Sequence, residues 1–287
     1  MTHGGESIVA PVAARHLETY GAHHGHVDRP AIRPAPRPMI DVAPAGEAMR
    51  NRLLTALPAS ERGLLTPYIE RVWLEQRTQL FAPEQPIVHV YFPETAVISL
   101  VSRLADGRSV EVGTAGSEGM AGLSLFLADD TSSFEAFAQI AGTAYRMEAR
   151  EFVRLAASSE ALHRMLLRYT QAFLTQVAQT AACNGAHLVQ ERCARWLLMT
   201  SDRVDGDEFA LTHEFLAFML GVRRAGVTVT MRALQEAGII AYGRGRIGIV
   251  DRAALEAVSC ECYRVVRDHF ERLLPDQHPS TTPWEQI

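Results

Sequence analysis

Lysine is absent from the 287-residue chain, so all 28 of its basic residues are arginine. Arginine suits bidentate contacts to phosphate and guanine, but a complete lack of lysine reads as a coding bias rather than as function. No apolar run approaches the roughly 20 residues that span a bilayer. The first residues also lack a basic start, an apolar stretch and a small-residue cleavage site. The expected location is therefore the cytosol, with no membrane partner. Cysteine is scarce too: Cys183, Cys193, Cys260 and Cys262 all fall in the second half, without paired CxxC repeats. That excludes the usual zinc-ribbon spacing and a disulfide frame, and reduced thiols with no metal site are expected. Cys260 and Cys262 lie two apart on a predicted helix and should point in different directions; oxidation sensing or metal binding by that pair is the alternative. Phosphate loops, dinucleotide fingerprints and nucleophile elbows are also missing, so neither catalytic residues nor a cofactor are expected.

What is present is a globular composition, 47% apolar and 21% charged, long enough for two modest cores. Residues 1–46 hold Pro30, Pro34, Pro36, Pro38 and Pro44 among small residues, which predicts a flexible tail. Its His23, His24 and His26 could bind a transition metal but read more simply as solvated. Leu53, Leu54, Leu57, Leu64, Leu65 and Ile69 then recur at helical spacing around Pro58-Ala59-Ser60. From Trp73 to Met147 the pattern shifts to short β-rich segments: Val88 to Phe92, Ala96 to Ser102, Ser109 to Val112, Phe134 to Ile140 and Thr143 to Met147. Pro93, Asp106-Gly107, Gly116 and Gly142 separate them, which predicts an antiparallel β roll or barrel. Between Arg150 and Arg195 there is no proline, and a short helix followed by one of 25 to 30 residues is expected. Leu162, Leu166, Tyr169, Phe173 and Val177 make a narrow stripe on it. A helix that outlasts a small roll favours pairing with a second copy, the alternative being packing on its own domain.

The sharpest pattern spans Leu211 to Ile240. Thr212 caps a first helix whose Phe215, Leu216, Met219 and Leu220 face inward, Gly221 turns the chain, and Val222 plugs the gap. A second helix, about Arg224 to Ala237, buries Val227, Met231 and Leu234 and leaves Arg223, Arg224, Thr228 and Arg232 outside. After Gly238, Ile239 to Tyr242 and Ile247 to Val250 read as the strands of a wing with Arg244 and Arg246 at its tip. Net charge is −5, yet from Gly221 to Arg252 six arginines face only Glu236 and Asp251, a local balance of +4. DNA contact must therefore be local. A basic face on a protein-binding winged helix, within an adaptor, is the rival reading. A metal-dependent β-roll enzyme is another, weakened because His89 is the one histidine between residues 73 and 150.

A β roll, a long helix and a winged helix-turn-helix in this order resemble the Crp/Fnr family of bacterial regulators. Asn51-Arg52-Leu53-Leu54 with Leu57-Pro58, Gly116-Ser117-Glu118-Gly119, and Leu211-Thr212 through Gly221 with Arg223-Arg224 carry the resemblance. It implies an α+β fold: a disordered tail to residue 46, a cyclic-nucleotide-binding-like double-stranded β-helix over 47–158, a dimerisation helix over 159–190, a winged helix-turn-helix over 191–274 and a tail over 275–287. It further implies a homodimer on near-palindromic double-stranded DNA, with RNA polymerase as a partner and an unknown effector. Arg224 would read guanine, helped by Arg223 or Thr228, while Thr212, His213, Arg244 and Arg246 hold phosphates, with Arg232 a further DNA-binding residue. The family's common Arg-Glu-x-x-x-Arg run keeps only its first arginine here, with Ala225 and Val229 at the others, so the preferred site should differ.

Members that bind cyclic nucleotides hold the phosphate with Arg followed by Ser or Thr, which align with Phe134 and Glu135. With Glu118 in a stretch lacking Gly-Glu-Leu, the effector pocket is degenerate and cyclic AMP is not the expected ligand. No cysteine precedes Cys183, so the N-terminal iron–sulfur arrangement is excluded; a haem on His89 stays as an alternative.

Overall fold

The structure is a computed structural model and describes residues 48–274 apart from 106, 107 and 207. The expected tails, their histidine cluster and the Asp106-Gly107 turn lie outside the described residues. Helices α1 (Arg52–Thr55) and α2 (Ala59–Leu65) lead into strands β1 (Ile69–Leu74), β2 (Gln79–Phe81), β3 (His89–Pro93), β4 (Val97–Arg103), β5 (Ser109–Ala115), β6 (Glu135–Ile140) and β7 (Gly142–Glu148). Helices α3 (Ala149–Ser158), α4 (Glu160–Ala186) and α5 (Val189–Ser201) follow. The C-terminal part comprises β8 (Glu208–Ala210), α6 (His213–Leu220), α7 (Arg224–Glu236), β9 (Ile240–Gly243), β10 (Arg246–Ile249), α8 (Arg252–Val258) and α9 (Cys262–Leu273).

The roll consists of two antiparallel sheets, ordered β1-β7-β3 and β2-β6-β4-β5. Ile69 opens β1 instead of extending the lead-in helix, because α2 ends at Leu65 and Thr66-Pro67 form a tight turn of 3-10 helix. The run from Val97 to Val101 is buried at every position because both faces of β4 are covered. Ile98 belongs to the roll core, and Val101 joins Phe137 in a second core shared with α5, α6 and α7. That double burial explains why β4 reads as a continuous apolar segment rather than an alternating one.

Quoted sequence signatures have local physical roles. The buried Asn51 side chain caps α1 by accepting from Leu54 N, and its Nδ2 donates to the carbonyls of Pro93 (2.8 Å) and Gly119 (2.9 Å). A Cβ at Gly119 would come within 2.7 Å of the Tyr169 hydroxyl, which donates to Met120 O at 2.8 Å. A glycine is therefore what lets α4 approach this loop.

Helix α4 is 27 residues long, and its N-cap Ser159 Oγ accepts from Leu162 N. The stripe expected to pair with a second copy packs instead on the chain itself. Leu162, Leu166 and Tyr169 are fully buried in the roll core, and Phe173 packs against it; Val177 is partly buried. The roll covers that stripe, and the face left exposed carries Leu167 (52% exposed) and Leu174 (59%), continuing through Ala178, Ala181 and Gly185.

Cys260 and Cys262 also depart from expectation. Cys260 lies in the turn after α8 and Cys262 opens α9, so they do not share a helical segment. Their sulfurs converge with the sulfur of Cys183 and a ring nitrogen of His187.

Candidate nucleic-acid interface

The reader begins where Thr212 Oγ1 accepts from Phe215 N at 3.1 Å and caps α6. Phe215, Leu216, Met219 and Leu220 are buried as the periodicity predicts. Gly221 closes the helix at φ 62°, a left-handed conformation that suits glycine. A Cβ there would also meet Val110 Cγ2 at 2.7 Å, so the turn is pressed against β5 of the roll. Edge-to-face packing of Phe137 on Phe215, with ring centroids 6.3 Å apart, joins the same two regions.

Helix α7 starts at Arg224 with Arg223 at its N-cap, and Val227, Met231 and Leu234 anchor it. Arg223, Arg224, Ala225, Gly226, Val229 and Arg232 are exposed. None of those three arginine side chains has a hydrogen-bond or ion-pair partner among the described residues. Strands β8, β10 and β9 form an antiparallel sheet in that order. Arg244 (φ 50°) and Gly245 (φ 73°) link β9 to β10 with both central residues left-handed, the geometry of a tight hairpin. Arg244 is exposed and unpaired among the described residues, whereas the exposed Arg246 lies 3.3 Å from Glu208.

His213 is placed differently from the expected phosphate contact. Its Nδ1 lies 3.2 Å from Thr228 Oγ1, its ring stacks on Tyr242 at 4.5 Å, and its Nε2 is buried without a partner. Burial, aided by the neighbouring Arg224 charge, holds its pKa below the usual histidine value. His213 is thus a neutral wedge that ties α6 to α7 and the wing, and Thr228 is the group it orients. Sequence reasoning gave Val229 and Tyr242 no contact role and missed β8. Val229 is 71% exposed and falls outside the apolar stripe, which was the available signal that it faces outward. Three-residue β8 is too short to show alternation.

The three positions assigned to a degenerate effector pocket have separate surroundings. Glu118 accepts from Gly116 N and pairs with Arg203 at 2.8 Å, both side chains only 8% exposed. Glu135 is fully buried, with Arg103 Nη2 2.5 Å from Oε2 and Gln79 Nε2 2.7 Å from Oε1. Phe134 is partly buried, its backbone N–H bonded to Ser132 Oγ. His89, half-buried at the start of β3, sits opposite Glu148 in register; burial, followed by the Arg146 charge, lowers its pKa.

Residues 191–258 match the Crp-like helix-turn-helix domain. The fold matches FixK2 of Bradyrhizobium japonicum with TM-score 0.58 at 19% identity, over 67% of this chain and 98% of that one. The chain thus carries a Crp-like helix-turn-helix domain. A Crp/Fnr-family regulator structure from Eubacterium rectale aligns with TM-score 0.57 at 17% identity, over 72% and 96% of the two chains. A CRP-family regulator from Thermus thermophilus gives 0.55 at 22% identity, over 66% and 96%. No curated protein matches in sequence. The matched domain contains α6, α7 and the wing but stops before α9. Among the described residues, no helix is long and apolar enough to cross a membrane.

Proposed function

We propose that the regulator binds a near-palindromic duplex as a homodimer, with α7 in the major groove and the wing beside the backbone. The unpaired, exposed arginines at the start of α7, projecting from a helix whose opposite face is locked in the core, carry this reading. Arg224 and Arg223 are placed to reach base edges, and Arg232 and Arg244 to reach phosphates. Val229 adds an apolar surface suited to a thymine methyl, a contact the family's usual acidic-and-basic run would not make. His213 positions Thr228 instead of touching phosphate, and Thr212 supports the helix start. Arg246 shares its charge with Glu208 and contributes less than Arg244.

The dimer seam is the exposed face of α4 through Leu167, Leu174 and Ala178. Two copies joined along that helix place two readers on half-sites about one helical turn apart. The effector, if one is used, is not cyclic AMP: Phe134 and Glu135 stand where the phosphate clamp aligns, and Glu135 is a buried carboxylate already paired with Arg103, whereas a cyclic phosphate needs free cations. RNA polymerase is the protein partner this assignment implies.

Selection from a randomised duplex pool at fixed moderate salt, without added ligand, tests the reading. Recovery of a palindromic motif by a dimeric protein is the expected result. A single asymmetric half-site bound by a monomer, or no enriched motif, would overturn it.

A further inference from the structure

Outside the DNA reader, the structure gathers three of the chain's four cysteines around one histidine. Cys183, His187, Cys260 and Cys262 each offer a ligand atom, and those atoms all lie within 4.8 Å of one another. From this convergence we propose that the chain holds a single thiophilic divalent cation, of which zinc is the best match, in a Cys3His site that joins α4 to α9.

The backbone explains why the four meet. Cys183 and His187 are four apart at the end of α4, so they share a helix face, and His187 leaves the helix as its C-cap. Cys260 precedes α9 and Cys262 starts it, which brings both thiols in from the opposite side. Three of the four residues are buried and His187 is partly so. Zinc at about 2.3 Å from sulfur and about 2.0–2.1 Å from nitrogen sets tetrahedral edges of about 3.8 Å (S to S) and 3.6 Å (S to N). Cys183 Sγ lies 3.5 Å from Cys260 Sγ, and Cys262 Sγ 3.5 Å from His187 Nδ1. Those spacings fit one ion. An iron–sulfur cluster would seat its ligands on different irons and spread them farther apart.

The surroundings fit as well. With Nδ1 directed at the ion, His187 Nε2 faces Glu261 Oε2 at 3.4 Å, the carboxylate–histidine–metal arrangement that fixes the ring. Gln179 Nε2 donates to Cys262 Sγ at 3.1 Å, and the buried Arg195 lies within electrostatic range of Cys183. Binding would release three thiol protons to solvent and leave a site charge of −1 beside that guanidinium. Both ends of the site fall just outside the matched domain at 191–258, so it would fasten the last helix and reader to the long helix. This inference is independent of the DNA reading.

The test uses the full chain purified under reducing conditions. Metal analysis should give one zinc per chain. Replacement with cobalt(II) should give the intense visible bands of a tetrahedral ion and a thiolate charge-transfer band in the near ultraviolet. Cys262→Ser should remove the charge-transfer intensity in proportion to the lost thiolate, and Glu261→Gln should weaken zinc about 10–100-fold while leaving the spectrum tetrahedral. A wild-type protein that binds cobalt only weakly, with a pale octahedral spectrum, would overturn the proposal without any variant. So would intact mass two hydrogens low with a Cys183–Cys260 crosslink, which would make the cluster a redox pair.

Discussion

The roll and the reader use the same side chain in opposite ways. In the roll and at its border, Arg71 lies 2.6 Å from Glu94, Arg103 is paired with Glu135, Arg146 with Glu70, and Arg203 with Glu118. In the reader, Arg223, Arg224, Arg232 and Arg244 have no such partner among the described residues. A chain with only arginine for its basic residues therefore separates structural from available charge by the carboxylates supplied, not by residue type. Of the six arginines from Gly221 to Arg252, Arg246 is paired with Glu208 and Arg252 with Asp202 and Glu256, which leaves these four as the available charge; Asp251 is occupied in capping α8.

Breaking a paired arginine should have the largest effect. Arg203→Met leaves Glu118 buried without its cation, and loss of one member of such a pair costs about 3–5 kcal/mol. Denaturant unfolding should show a lower midpoint with unchanged slope, and Glu118→Gln in the same chain should recover much of the loss. If the single variant loses less than about 1 kcal/mol, solvent screens the pair, as it does for exposed pairs, and the contrast with the reader weakens.

An unpaired arginine should behave in the reverse manner. Arg224→Ala is expected to leave the unfolding midpoint within about 0.5 kcal/mol of wild type, as exposed substitutions usually do. It should remove about 1–3 kcal/mol of discrimination at one base pair. Competition titrations against single-base variants of the selected site would read this. Equal weakening at every sequence would demote Arg224 to a phosphate contact.

Glu111 sharpens the comparison from the acidic side, because its hydrogen bonds come from neutral groups: Ser99 Oγ at 2.5 Å and Trp196 Nε1 at 3.0 Å. Ser99 Oγ also lies 2.6 Å from Gln139 Oε1, yet a hydroxyl has one proton to donate. Gln139 Nε2 is directed to Thr200 Oγ1. A proton on Glu111 resolves the conflict by making the carboxyl a donor to Ser99. Burial independently pushes its pKa from 4.5 up to about 7. For an acid raised in the folded state, the associated stability is complete below about 4.5 and lost as pH rises through about 7. Glu111→Gln mimics the protonated form. It should gain about 1–2 kcal/mol over wild type at pH 8 and almost nothing at pH 4.5, allowing for the group's partial exposure. Equal stability changes at both pH values would mean that Glu111 is ionised throughout.

Much of the reader was legible in the sequence because its signals are local. Thr212, Gly221 and the spacing of Val227, Met231 and Leu234 each specify a cap, a turn or a face over a few residues. Five roll strands were legible from β-branched and aromatic runs. β1 and β2 were not, since Glu70, Arg71 and Gln79 interrupt the apolar pattern and their pairing with β7 and β6 is long-range. The α4 stripe was identified correctly as apolar but given the wrong neighbour, because spacing shows which face is buried and not what covers it. The Cys3His cluster was invisible for a related reason: 77 residues separate Cys183 from Cys260, and only the packing of α9 on α4 brings them together.

The smallest expected effect separates the two parts of the reader. Arg244 sits at the tip of a two-residue turn, so its charge reaches outward without a partner, while Arg246 in β10 lies beside Glu208. Arg244→Ala should weaken binding uniformly across sequences, by under about 1 kcal/mol, and lower the slope of log affinity against log salt by about 1. Arg246→Ala should change that slope less, because Glu208 already offsets part of its charge. Binding isotherms at four salt concentrations on the selected and a scrambled duplex would measure both. If Arg246→Ala changes the slope as much as Arg244→Ala, the Glu208 pair opens on DNA, and pairing in the free protein stops being a guide to which arginines are available.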